Sequence, residues 1–424
     1  MENIGKLPSK VHYLIIGAGV TGLSCAAELV QKNYLVLERE SDAGGYCRTF
    51  KIGDFVWDYA GHFFHFNNDN IKRNFESLLS GKEIVFNKKN TKVWYMGKLI
   101  DAPFQYNIHQ LEKDDFIDCL VGMFEQTTDR GVNFYEMLYS KYGKPISEKF
   151  LIPYNEKLYA CDLNNLDRNA MGRFFPSADR NDIVKGFRGD KKKTYNDSFY
   201  YSREGAVSFV KEILNKIPKE KIRYNVEVES IDIESKCVMT NHGRLYYDVL
   251  INTMPFNIFL KKMDINASVH FTANQVLVFN LGFDKAPNDK TVHWIYIPDP
   301  NICFYRVGFY NNILNMESMS LYVELGFAED EKIDVEIYRN RVLTDLKKIG
   351  IIDTHKLVAS NDVLMSPAYV HISTECIKEK DRIKEKIKQN DIYTIGRYGD
   401  WCYCSIEDCI IQAKNLVDSL LNND

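Results

Sequence analysis

Val11-His12-Tyr13-Leu14-Ile15-Ile16-Gly17-Ala18-Gly19-Val20-Thr21-Gly22 is the stretch that decides the fold. An apolar run of strand length enters a turn with glycines at the first, third and sixth positions. Gly17 permits the tight turn, Gly19 lets a pyrophosphate approach the backbone, and Gly22 lets the next helix pack on the sheet. That helix begins at Val20 and Thr21 and turns free N–H groups towards phosphates. A second apolar run, Tyr34-Leu35-Val36-Leu37, closes on Glu38, 21 residues after Gly17. At this distance a carboxylate meets the ribose hydroxyls of a dinucleotide; Arg39 follows it. Strand, turn, helix and acid together predict a dinucleotide-binding Rossmann unit.

A chain of 424 residues can bury a large core and divide into two or three lobes. Its net charge of −4 argues against nucleic-acid binding, which needs a basic face. The tight basic run Lys191-Lys192-Lys193 reads as a solvated loop. No stretch is long and apolar enough for a membrane span, and the polar segment Met1 to Lys10 has no secretory core. A cytoplasmic location is therefore expected. The 10 cysteines contain no CxxC spacing, so neither a metal site nor a disulfide framework is expected.

The order of strand-like and helix-like runs predicts an α/β fold: a Rossmann-type cofactor-binding domain with an inserted helical domain and a mainly antiparallel β-sheet substrate domain. The expected parts of the cofactor domain are 1–100, 200–260 and 389–424, with helices at 101–199 and the substrate sheet at 261–388. Leu111, Phe116, Leu120, Phe134, Met137, Leu138 and Tyr142 carry the helical spacing of the insertion. Ser177 to Asn196 is polar and charged and reads as a mobile loop or lid. Gln275–Leu281, His293–Ile297, Phe304–Val307 and Ser320–Leu325 read as strands, interrupted by a helix near 331–348.

A second glycine pair, Gly44-Gly45, lies in the turn Ala43 to Thr49 with Arg48, and a strand–turn–helix segment closes the chain. These features favour FAD over NAD, because extended FAD touches distant parts of a sequence. Val228 is a candidate for main-chain contact with adenine, and Gly396-Arg397 for the pyrophosphate or isoalloxazine. The last helix, from about Glu407, would turn its N-terminal dipole on the flavin carbonyl.

With these motifs in place, the chain resembles the UDP-galactopyranose mutase family, in particular its eukaryotic-type branch, within the FAD-dependent amine-oxidase-like superfamily. Trp57-Asp58-Tyr59-Ala60-Gly61-His62 is similar to the segment whose histidine sits beside the flavin, with Ala60 replacing a glycine. Pro103-Phe104-Gln105 resembles the motif that contacts uracil. Tyr154-Asn155 and Tyr159 resemble a uridine-stacking tyrosine, a substrate asparagine and a position usually held by tryptophan. Trp294-Ile295-Tyr296 and Phe304-Tyr305-Arg306 resemble a substrate-side segment in which tyrosine and arginine grip a diphosphate. Arg173 is the candidate for the second arginine. Tyr369, 28 residues before Arg397, and Tyr403, six after it, resemble tyrosines lining the diphosphate and flavin. Ala102 departs from the pattern, standing where the family has tyrosine, and so reshapes the base pocket.

The resemblance implies an isomerase that interconverts UDP-galactopyranose and UDP-galactofuranose, or a close analogue, for cell-surface polysaccharide biosynthesis. FAD would act reduced, its N5 the nucleophile at the anomeric carbon, with NADH or NADPH as candidate reductants. The site residues it implies are His62, Arg306, Arg173, Tyr296, Tyr369 and Tyr403, with a nucleotide sugar as partner, no metal, and a homo-oligomer left open. The alternative is an FAD-dependent oxidoreductase of the amine-oxidase or protoporphyrinogen-oxidase type, which has no need of a diphosphate-gripping set.

Overall fold

Strand Lys10–Ile16 sits between Tyr34–Leu37 and Gly243–Asn252, parallel to both. Alternate side chains enter opposite layers: Tyr13 and Ile15 pack on one face, Leu14 and Ile16 on the other. Both faces are covered by helices, which is why the strand reads as one apolar run. Helices Val20–Glu28, Val207–Leu214 and Ile406–Leu421 cover the first face; Phe256–Lys262 and Thr374–Lys388 cover the second. The chain returns to this sheet at its far end, where Ile392–Thr394 pairs in parallel with Gly243–Asn252. The computed structural model describes residues 6–124, 131–189 and 196–422; the lysine run at 191–193 lies outside them.

The second seven-stranded sheet runs in the order 357–365, 275–283, 320–327, 306–309, 294–296, 91–95, 98–101. It is antiparallel except where Trp294–Tyr296 pairs with Thr91–Tyr95. The chain therefore enters this sheet at Thr91, before the expected boundary at 100. Gln275–Phe283 is buried along its whole length, with Val276 and Val278 facing the helical insertion and Leu277, Phe279 and Leu281 facing helix Val335–Lys348. The insertion holds helices Lys113–Gly122, Phe134–Ile146 and Ile152–Tyr159. The expected loop at 177–196 is in part a helix, Arg180–Gly186, started by a capping box between Asp179 and Asp182. Its charged residues had masked that start. Among the described residues no helix is long and apolar enough to cross a membrane, and no cluster could hold a metal ion.

Candidate active site

A cleft of about 890 Å³ runs along the glycine turns. Gly17 takes φ +98°, and a Cβ there would lie 2.5 Å from Thr253 Oγ1. A Cβ on Gly22 would lie 2.0 Å from the Gly17 carbonyl oxygen, so helix and turn meet backbone to backbone. Around Gly19 there is open space, the room a pyrophosphate would need. The helix starting at Val20 has no side-chain cap and no acid in its first turn, so its free N–H groups suit an anion. Gly44-Gly45 abuts this turn, with the Gly44 N–H donating to Ala18 O at 2.8 Å.

Glu38 is buried; its Oε2 accepts the Ala18 N–H at 2.7 Å and its Oε1 the Glu40 N–H at 3.0 Å. The acid thus braces the turn as well as lining the cleft beside Arg39 and Val228. Arg48 also lines it, and its buried Nε has no partner among the described residues. Gly396, at φ +85°, packs against Thr21, bringing the C-terminal turn onto the first helix. An uncapped helix, open space at Gly19 and an orphaned guanidinium nitrogen all fit a bound dinucleotide. Glu407 departs from expectation: its Oε1 accepts the N–H groups of Asn67 and Asn68 at 2.9 and 2.8 Å. It lines the cleft while tethering that segment, and the helix itself starts at Ile406 under a Ser405–Asp408 capping box.

A second cavity of about 440 Å³ opens beside the cleft. Phe104, Phe150 and Tyr154 form a ladder of stacked rings, centroids 5.0 and 5.4 Å apart. Gln105 donates to Pro176 O and Asn155 to Leu151 O, leaving Gln105 Oε1 and Asn155 Oδ1 buried with no partner among the described residues. Two orphaned acceptors beside stacked rings suit a flat ligand that carries N–H or O–H donors. Trp294 stacks on Phe63 at 5.5 Å, and both line this cavity with Ala102 and Tyr296. Tyr159 does not: it lies edge-on to Tyr369 and lines neither cavity. The helix turns Tyr154, Asn155 and Leu158 to the cavity, and Tyr159, one residue further round, faces away.

The cavities meet at Arg306, Tyr369 and Tyr403, which line both. Tyr296, Arg306 and Glu324 lie directly opposite one another on three neighbouring strands. Arg306 donates a fork to Glu324, Nε to Oε2 at 2.7 Å and Nη2 to Oε1 at 2.8 Å. Tyr369 and Tyr403 stack with centroids 5.9 Å apart, and the Arg397 guanidinium lies over both rings. Arg397 has no carboxylate partner among the described residues; it donates to Cys404 O at 3.0 Å. The net positive charge therefore sits at Arg397. Arg173 reaches out of the insertion to Asp408 Oδ1 at 2.7 Å, tying this wall of the second cavity to the last helix. Burial pushes the phenols of Tyr154, Tyr296 and Tyr369 up, so at neutral pH they remain donors.

His62 lines the cleft with Gly61, its Nδ1 3.1 Å from Ala60 O. Burial pulls its pKa down to about 4, and the charges of Arg397 and Arg306 add to this against Glu324 and the Ala60 hydrogen bond. The unfolded imidazole titrates near 6.5, so stability from keeping His62 neutral is complete above 6.5 and drains as pH falls towards about 4. Its NMR resonances should stay constant from about pH 5.5 to 8; titration near the ordinary histidine value would show that the ring is solvated.

Glu324, Tyr322 and Phe150 escape the linear reading. Only a cross-strand charge pair between Arg306 and Glu324 was legible in principle, and only with the register known.

The two-sheet architecture defines a class. A profile of the NAD(P)-binding Rossmann-like domain matches residues 15–78. The all-trans-retinol 13,14-reductase of Rattus norvegicus is 36% identical over 63 residues, 14% of this chain and 10% of that protein. The chain joins a Rossmann-like dinucleotide-binding unit to a second, mainly antiparallel sheet.

Within that class it has the fold of UDP-galactopyranose mutase. The reduced mutase superposes with a TM-score of 0.91 at 22% identity, covering 98% of this chain and 94% of that one. A putative protoporphyrinogen oxidase from Exiguobacterium sp. 255-15 gives 0.79 at 16% identity, covering 99% and 100%.

Proposed function

We propose that the chain is a flavin-dependent nucleotide-sugar mutase that interconverts pyranose and furanose forms, UDP-galactopyranose and UDP-galactofuranose or a close analogue. One observation carries this reading: the dinucleotide cleft and the aromatic cavity share Arg306, Tyr369 and Tyr403 at their junction. A nucleotide stacked on Phe104, Phe150 and Tyr154 would extend its diphosphate to that junction. Reduced FAD, when bound, supplies a nucleophilic nitrogen for the anomeric carbon.

The residues divide the remaining work. Gln105 and Asn155 orient the base through their unsatisfied oxygens. The phenols of Tyr296, Tyr369 and Tyr403, Arg306 Nη1 and the charge of Arg397 receive the diphosphate. They would also stabilise it as it leaves the sugar, when its charge is greatest. Glu324 fixes the plane of Arg306, and neutral His62 keeps a further cation out of the cleft.

The second reading is an FAD-dependent oxidoreductase, favoured by the likeness to the putative protoporphyrinogen oxidase. The two separate in one assay. Dithionite-reduced, FAD-loaded protein given UDP-galactofuranose should yield UDP-galactopyranose by chromatography, with no net oxygen consumption and no turnover when oxidised. Oxidation of a porphyrinogen without isomerisation would establish the other reading. Arg306→Lys keeps the charge opposite Glu324 but loses the fork and Nη1. It should lower kcat/KM by roughly 10- to 100-fold while the urea midpoint holds; unchanged kcat/KM would remove Arg306 from the site.

A further inference from the structure

Lys89 lies between strands Ile84–Lys88 and Thr91–Tyr95, where its backbone N–H donates to Asp197 O at 2.8 Å. Its half-buried side chain lines the second cavity. The Nζ donates to Asn196 Oδ1 at 2.7 Å, and no described carboxylate pairs with it. Other lysines in the fold are better supplied: Lys157 donates to the carbonyls of Ile297, Asp299 and Phe304, and Lys149 pairs with Asp115.

Among the described residues the cavity is lined by Lys89, Arg173 and Arg306 and by no Asp or Glu. Arg173 and Arg306 are ion-paired with Asp408 and Glu324, whereas Lys89 has no ion pair among the described residues and feels only the more distant charge of Asp197. Withdrawing an ammonium from water without compensation is costly. Burial pulls Lys89 down to about 8, with Asp197 opposing, which leaves it mostly protonated at neutral pH.

The position indicates which part of a ligand would reach it. The Lys89 charge acts on His65, and His65 and Phe63 line both cavities. Lys89 therefore stands towards the end where a reacting sugar would meet the cofactor cleft.

We propose that the second cavity takes a nucleoside-diphosphate sugar whose sugar carries a carboxylate, and that Lys89 binds that carboxylate. This rests on the mutase reading for the nucleotide and adds the acidic group. The test is calorimetric titration of the FAD-loaded protein with UDP, UDP-galactose and UDP-galacturonate. Wild type should bind UDP-galacturonate about 10- to 100-fold more tightly than UDP-galactose, the range of a charge-assisted contact. Lys89→Met should erase that preference and leave UDP affinity within about twofold, whereas Lys89→Arg, which keeps the charge, should retain it. Equal or weaker binding of UDP-galacturonate by wild type overturns the proposal, as does a Lys89→Met variant that weakens all three ligands alike. UDP binding without acid preference defeats this inference alone; no binding of UDP defeats the mutase reading with it.

Discussion

Glu324→Ala should cost roughly 3–5 kcal/mol of folding free energy, because it strands a guanidinium in the protein interior. Glu324 is 1% exposed in its side chain and receives both arms of the Arg306 fork. The Arg306 side chain is 21% exposed, so cavity water recovers part of the loss and the lower end of the range is expected. Urea unfolding of the ligand-free protein measures it. Removing both charges should behave differently. Arg306→Met with Glu324→Leu should recover most of the stability, since a buried ion pair is often no better than apolar residues of similar volume. Turnover in that double variant should remain absent. If Glu324→Ala shifted stability by less than about 1 kcal/mol, Arg306 would be solvated rather than held by the pair.

Gly22→Ala and Gly19→Ala should part company, although they alter the same turn. A Cβ on Gly22 would stand 2.0 Å from the Gly17 carbonyl oxygen and 3.3 Å from Ile15 Cγ2. Backbone cannot yield as a side chain does, so strand and helix must separate. A loss of about 1–3 kcal/mol, or more, is expected together with loss of the dinucleotide. A Cβ on Gly19 meets nothing within 4 Å, and the residue's φ of −73° suits any amino acid. Gly19→Ala should leave ligand-free stability within about 0.5 kcal/mol yet occupy the space a pyrophosphate needs. Flavin absorbance per chain after gel filtration, read beside urea midpoints, separates the two. Full flavin retention in Gly19→Ala would place the pyrophosphate elsewhere.

Legibility in the sequence followed the range of the interactions. The glycine turn and Glu38 were readable because each residue answers to neighbours in one strand–turn–helix unit. The helices of the insertion and the strand Gln275–Phe283 were readable because burial prints periodicity or a continuous apolar run. Leu357–Met365 was not: as an outer strand it alternates little and exposes Val358 and Leu364, so no run marks it. Thr91–Tyr95 gave no sign that it pairs with Trp294–Tyr296, some 200 residues away. Tyr159 lines neither cavity because one residue on a helix turns a side chain by about 100°, which order along the chain does not show.

The residue types for a dinucleotide turn, an aromatic cavity and a set of tyrosines and arginines were present in the sequence itself. Glycine sterics and helix termini act over a few residues, so order along the chain was enough to read the turn. Charge balance belongs to the fold. Sheet register set Glu324 against Arg306; the tertiary fold left Arg397 among tyrosine rings and brought Lys89 into the second cavity, neither with a carboxylate partner among the described residues. Those pairings depend on distances across strands and loops far apart in sequence, and the energy of a charge is decided by what lies within a few ångströms of it.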